Sequence, residues 1–383
     1  MDRLEKSRAV LLDRTTAIAS PRPGLLLAEH VGAPRQITYD RLILATGARE
    51  LFLPFPGWTL PGVVGPGGIL SMAKSGWPVA GKRIVIAGSG PLLFAAADGL
   101  RKLGAHIVCI AEQAPLASVT RFIFSLSSRP AKLRQAIVLR FRQRRVPYHC
   151  SVWPIAAEGE TTIRAVRLTN GRDSWIETCD LLACGFGLEP NVELALALGC
   201  SLHDGFVAVD DFQATTVPNV YCAGEPAGIG GADCALVEGQ IAGYAAANDK
   251  AGAEALFHQR ASWHRFRSSL AKAFKLRPEL KSLATDETLL CRCEDVSFGN
   301  VRRFGGWREA KLQSRCGMGA CQGRICGSAA KFILGWGMES VRPPILPARV
   351  GSLIGQQTTN TTRSEVNAPP AVQPGENLAP AKT

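Results

Sequence analysis

Apolar residues along this chain fall into short uninterrupted runs separated by glycine and proline, the pattern of strands buried on both faces. Leu42-Ile43-Leu44-Ala45 is one such run, entered from QITYDR and stopped by Thr46-Gly47. From Pro54 to Gly68 the chain is too punctuated for helix or central strand. A second unit begins at Lys82. RIVIAGSGPLLFAAADGLRKLGAHIVCIAEQ reads as a strand (83–87), a glycine turn, a helix (92–103) and a strand (106–111). That is a βαβ unit of about thirty residues. Residues 162–168 and 175–182 alternate as strands do, and VAVDDFQATTVPNVYCAGE predicts strand, loop, strand and turn. Residues 234–247 predict a helix whose Ala235, Gly239, Ala242 and Gly243 permit close packing. After Val350 the composition cannot bury a core, so 349–383 reads as a disordered tail.

Charge and cysteine usage sharpen this picture. The formal net charge is +12. Between Arg121 and Arg145 there is no Asp or Glu, and Ile137, Val138 and Phe141 interleave with Arg134, Arg140, Arg142, Arg144 and Arg145. An amphipathic helix with a basic face is expected there, either a solvated face or a dock for an acidic partner. One aromatic in that core and no accompanying module argue against nucleic acid. No apolar run reaches the roughly 18 residues of a membrane span. MDRLEKSRAV has no apolar leader core, so a cytoplasmic location is the expectation. Of twelve cysteines, five lie between Cys291 and Cys326. Outside secreted proteins such clustering more often marks metal ligands than disulfides.

Three glycine-containing turns are candidate nucleotide contacts. Gly88-Ser89-Gly90 joins a strand to a helix, where a pyrophosphate can approach the backbone and the helix N-terminus. Leu93 replaces the third glycine of G-x-G-x-x-G, and Glu112 lies 22 residues after Gly90. An acid there suits a ribose 2′-hydroxyl and favours NAD over NADP; another nucleotide, or none, stays open. Thr46-Gly47 and Gly224-Glu225 each close a strand with a small-residue turn.

Cys291-Arg292-Cys293 and the C-x4-C pair Cys321/Cys326 are separated by 27 residues. Four thiolates hold a [2Fe–2S] centre or zinc; the tight C-x-C pair favours the former. Cys316 reads as a spare thiol outside this set. Cys179 and Cys184 read as core residues. No C-x-x-C stands in the nucleotide unit, and no Ser/His/Asp set is recognisable, so no catalytic side chain is assigned.

From about Leu42 to Leu346 the blocks ATGARELFLPFPGWTLPGV, AGSGPLL, ACGFGLEPN, VYCAGEPAGIGG, CRCEDV and RCGMGACQGRICG occur in that order. In this the chain resembles the A (alpha) subunits of the opine oxidase, hydroxyproline dehydrogenase and hydrogen-cyanide synthase group. The resemblance implies an α/β fold with two Rossmann-like dinucleotide-binding domains and a small helical iron–sulfur domain. The FAD-type domain would comprise 1–80 and 191–275, the NAD-type domain 81–190, and the iron–sulfur domain 276–348. It implies an electron-transfer subunit with FAD and a ferredoxin-like [2Fe–2S] centre, working with a flavoprotein (beta-type) subunit that oxidises an amino acid, opine or amine. Thr46, Gly47, Gly224 and Glu225 carry over as flavin contacts, and Cys291, Cys293, Cys321 and Cys326 as cluster ligands. Members of that class open with a strand and a G-x-G-x-x-G turn. No counterpart is present, so the FAD-type domain is expected to be incomplete, through a late start, a fragment or a surface supplied by a partner. Two other readings remain: a self-sufficient NAD(P)H-dependent reductase, and a non-enzymatic metal-binding remnant.

Overall fold

At the centre is a five-stranded, wholly parallel sheet; the computed structural model describes residues 7–337 and 341–354. Its strands, edge to edge, are Val63–Val64, Leu181–Gly185, Arg83–Gly88, His106–Glu112 and Tyr148–Cys150. Leu181–Gly185 is buried at every position and Arg83–Gly88 at every position after the first. Both faces of such a sheet must therefore be covered. Helices Pro66–Lys74 and Leu92–Lys102 cover one face, with Ile69, Leu93, Ala97 and Leu100 against Ile84, Ile86 and Ile110. The other face packs on the antiparallel meander Trp153–Glu158, Ala165–Thr169 and Ser174–Thr178 and on Phe55 and Trp58 of the connector. Cys179 and Cys184 are buried, at 3% and 2% exposure.

The flanking segments form a much smaller sheet. Leu42–Leu44 pairs in parallel with Val220–Cys222. Among the described residues the far edge of Leu42–Leu44 is unpaired, and Ile43 is 39% exposed. Helix Gly231–Ala246 packs across these strands, with Lys250–Glu254 and the long helix Phe257–Ala273 following. Ahead of them lies an antiparallel meander, Thr15–Arg22, Leu25–His30 and Ala33–Thr38. The cysteine unit contains the short strands Leu289–Cys291 and Val296–Ser297 and the helices Phe298–Arg302, Trp307–Ser314 and Cys326–Leu334. No helix among the described residues is long and apolar enough to cross a membrane.

Two expectations are corrected. The basic stretch is two helices, Leu116–Ser125 and Pro130–Arg142. They break before Pro130 because the residue ahead of a proline is driven out of helical geometry. Arg129 accordingly has φ −137° and ψ 77°. The disordered reading of 349–383 fails at its start. Val350–Ile354 is helical, and Ser352 Oγ and Arg349 N–H both donate to Glu29 of the first meander. The remainder of that stretch lies outside the described residues.

Candidate functional site

The glycine turn of the central sheet opens on a cleft of about 1340 Å³ between the two nucleotide-type units. Ser89, Gly90, Gly185 and Phe186 form one wall; Glu225, Gly228, Gly230 and Gly231 form the opposite wall; His264 and Arg267 come from the long helix. Gly88 is required sterically: a Cβ there would lie 1.8 Å from the Gly185 carbonyl oxygen on the neighbouring strand. Gly90 has φ +98° with open space beside it, so its need is conformational. Leu93, at the third glycine position, is 1% exposed and packs the helix onto the sheet.

Glu112 is placed differently from the expected ribose acceptor. It is 1% exposed, and its carboxylate accepts the Gly90 and Ala114 amides at 2.7 and 2.8 Å. Burial pushes its pKa up to about 7 against the pull of those bonds. The neighbouring Gln113 reaches Ser89 and the Lys275 carbonyl, and accepts from the Arg277 amide. Ser89 Oγ also donates to the Phe274 carbonyl. The chain's own 274–277 segment is thus tied across the turn. A second acid, Glu50, lines the cleft and accepts the Gly67 and Gly68 amides at the start of helix Pro66–Lys74. Both glycine-rich helix starts facing the cleft are satisfied internally, the arrangement that otherwise draws an anion.

On the opposite wall, Gly224 has φ +79° and stands where a Cβ would come within 3.2 Å of Ala235 Cβ. The small residues of helix Gly231–Ala246 allow that approach. The Gly224 amide donates to Glu238 Oε2 at 2.9 Å, and Glu238 Oε1 meets His264 Nε2 at 2.9 Å, Cys234 Sγ at 3.5 Å and Arg267 Nη1 at 3.5 Å. Glu238 is therefore a fully partnered buried carboxylate that ties the turn to the long helix. Glu225 itself faces the cleft, half-buried, and burial raises its pKa. Thr46 and Gly47 stand apart from the cleft lining: Thr46 Oγ donates to the Asn191 carbonyl at 2.5 Å, and Asn191 Nδ2 returns a bond to Thr46 O at 2.9 Å. Sequence reasoning missed Glu50, Glu238, His264 and Arg267. They carry no local motif, and only helix packing assembles them.

The cysteine unit brings five thiols into one knot. Cys291, Cys316 and Cys326 are buried, with sulfurs all within 4.8 Å of one another. Cys321 contacts both Cys326 and Cys293, and Cys293 is exposed. Cys316, read from the sequence as a spare, stands inside the group. Shared S–H···S bonds pull Cys291 far down and Cys321 down to about 5, while Cys326 is pushed up. The thiols therefore titrate as a set, not one by one. Amides of Gly317 and Glu294 point at Cys291, and those of Gly323 and Ile325 at Cys321. A Cβ on Gly319 would lie 2.3 Å from Cys293 Cβ, so glycine closes the loop over the sulfurs. Several convergent thiols with inward amides fit a thiolate-held metal centre.

This unit is docked on the flavin-type segments. Arg49 pairs with Glu193 at 2.8 Å and donates to the Arg324 carbonyl at 3.0 Å, while Arg324 lies 3.6 Å from Glu193. Lys331 pairs with Glu189 at 3.0 Å, and Trp58 Nε1 donates to Leu289 O at 2.6 Å.

Residues 1–251 match the pyridine nucleotide-disulphide oxidoreductase family, and the chain belongs to it. It is an FAD-dependent oxidoreductase of mixed α/β fold. Within that class it is similar to the A (alpha) component of opine oxidase from Rhizobium meliloti (strain 1021), 32% identical over 92% of this chain and 84% of the relative. It is also similar to the hydrogen cyanide synthase component HcnB of Pseudomonas aeruginosa, 29% identical over 79% of this chain and 71% of the relative. These relatives are subunits of multi-subunit enzymes. The L-proline dehydrogenase structure from P. horikoshii superposes with a TM-score of 0.58 at 20% identity. The match covers 88% of this chain and 64% of that one, a likeness of fold.

Proposed function

We propose that this chain is the electron-relay subunit of a heteromeric flavin-dependent dehydrogenase of amino acids, opines or amines. A partner flavoprotein would oxidise the substrate. The observation that carries the reading is the five-thiol knot pinned to the flavin-type segments through Arg49, Glu193 and Arg324. Relatives named as opine oxidase and hydrogen cyanide synthase subunits support it.

When bound, a flavin would supply exchange between two-electron and one-electron transfer, and a [2Fe–2S] centre a one-electron relay. Glu225 and the Gly228–Gly231 loop would hold the flavin nucleotide, with Thr46 and Gly47 setting the neighbouring strand turn. Cys291, Cys293, Cys321 and Cys326 would hold the cluster, with Cys316 as a fifth thiol within reach. The chain's own contribution is position: Arg49 and Arg324 fix the cysteine unit's orientation, and Trp307, packed with Cys291, Cys316 and Cys326, helps exclude water from the inner sulfurs. Gly88, Gly90 and Glu112 form a turn for NAD or another nucleotide that the 274–277 segment must leave accessible.

The test is anaerobic purification with a visible spectrum and assays of iron, zinc, acid-labile sulfide and flavin. Roughly two irons and two sulfides per chain are expected. Cys321→Ser should remove them and Cys316→Ala should keep them. One zinc, no sulfide and no colour would overturn the relay reading. Bleaching of a bound flavin by NADH alone would favour the self-sufficient reductase.

A further inference from the structure

We propose that the outward face of helix Pro130–Arg142 docks an acidic protein, the flavoprotein subunit, so that one helix separates that partner from the cleft. The inference rests on the heteromeric reading above and assigns it a surface.

The helix has two opposite faces. Lys132, Gln135, Ala136 and Leu139, at i, i+3, i+4 and i+7, line the cleft. Arg134, Ile137, Val138 and Phe141 repeat that spacing two residues later, about 200° around the axis. No residue of the helix is fully buried, and Ile137, Val138 and Phe141 are 58%, 39% and 63% exposed. Single exposed apolar residues need no explanation, but a contiguous apolar stripe on one face does.

Charge names the occupant. With no acid between Arg121 and Arg145, the ion pairs of this helix reach back into the molecule: Lys132 to Asp233 at 2.7 Å, and Arg142 to Asp98 at 3.3 Å. Among the described residues, Arg134, Arg144 and Arg145 enter no salt bridge. Arg144 instead lies 4.6 Å over the Phe141 ring. An apolar centre rimmed by unpaired guanidinium groups fits a surface with an apolar centre and a carboxylate rim. Three apolar side chains are a small area for insertion into a membrane, where binding scales with apolar area. Position supplies the redox argument. A helix with its side chains is roughly 10–12 Å across, so a protein seated on the outer face lies within that distance of the cleft wall.

The test uses the tagged full-length chain, purified from its host with the flavin-containing polypeptide that accompanies it. Amides of 130–145 should exchange more slowly with deuterium in the complex than in the chain alone. Arg134→Glu/Arg145→Glu and Ile137→Asp/Phe141→Asp should each weaken the complex at least tenfold. Melting temperature and iron content should stay unchanged, and salt should weaken the parent complex more than the charge-reversed one. Unchanged affinity, or protection confined to other surfaces with the flavoprotein still bound, would overturn the docking face and leave the relay reading standing. Absence of any flavoprotein would overturn both. Vesicles of phosphatidylglycerol and phosphatidylcholine are the counter-probe. Binding to them that the same variants abolish, with the protein complex intact, would make the face a membrane contact.

Discussion

Glu112 Oε2 accepts the Gly90 amide at 2.7 Å, so the acid that closes the second strand caps the glycine turn from inside the fold. The turn is thereby held in shape without a ligand, at the cost of burying a carboxyl group. Burial lifts its pKa from the ordinary 4.5 to about 7.

That shift fixes the sign of a pH dependence. Between about pH 4.5 and 7 the folded chain binds more protons at Glu112 than the unfolded chain does. Stability therefore falls as pH rises through this window and levels off above it. The shift corresponds to a change on the order of 3 kcal/mol. Glu112→Gln should flatten this part of the stability–pH profile, measured by urea unfolding at several pH values. An unchanged slope would show that another group is responsible.

Gly224→Ala should destabilise the chain by about 1–3 kcal/mol, because it places a side chain at φ +79° and against Ala235. Glu238→Gln should loosen the same turn without that clash, since the Gly224 amide and His264 share this carboxylate. Both variants should lower the flavin absorbance per chain. Full flavin content in both would separate the turn from flavin binding.

Arg49→Ala should leave Glu193, whose side chain is 8% exposed, with only Arg324 at 3.6 Å. Removing one partner of a buried pair costs on the order of 3 kcal/mol. Limited proteolysis should then release the cysteine unit earlier than in the parent chain. The double change Arg49→Ala/Glu193→Ala should recover part of the loss, and equal sensitivity of parent and single variant would place the docking energy elsewhere.

The central unit was legible in the sequence because its signals are local. Apolar runs give Arg83–Gly88 and His106–Glu112, and the intervening helix follows from its alanine and leucine content. Clustered cysteines likewise announced a thiol site, and Thr46-Gly47 and Gly224-Glu225 announced turns. Tertiary structure alone decided which groups meet. Cys316 joins Cys291 and Cys326 because the 316–326 loop folds back over the short strand ending at Cys291. Glu238, His264 and Gly224 meet because two helices cross over a strand end, a contact with no sequence period. Glu112 turned inward because amides at Gly90 and Ala114 lie closer than any other partner it could find. Spacing along a chain records which residues can share an element; it does not record which buried charges the packing must satisfy.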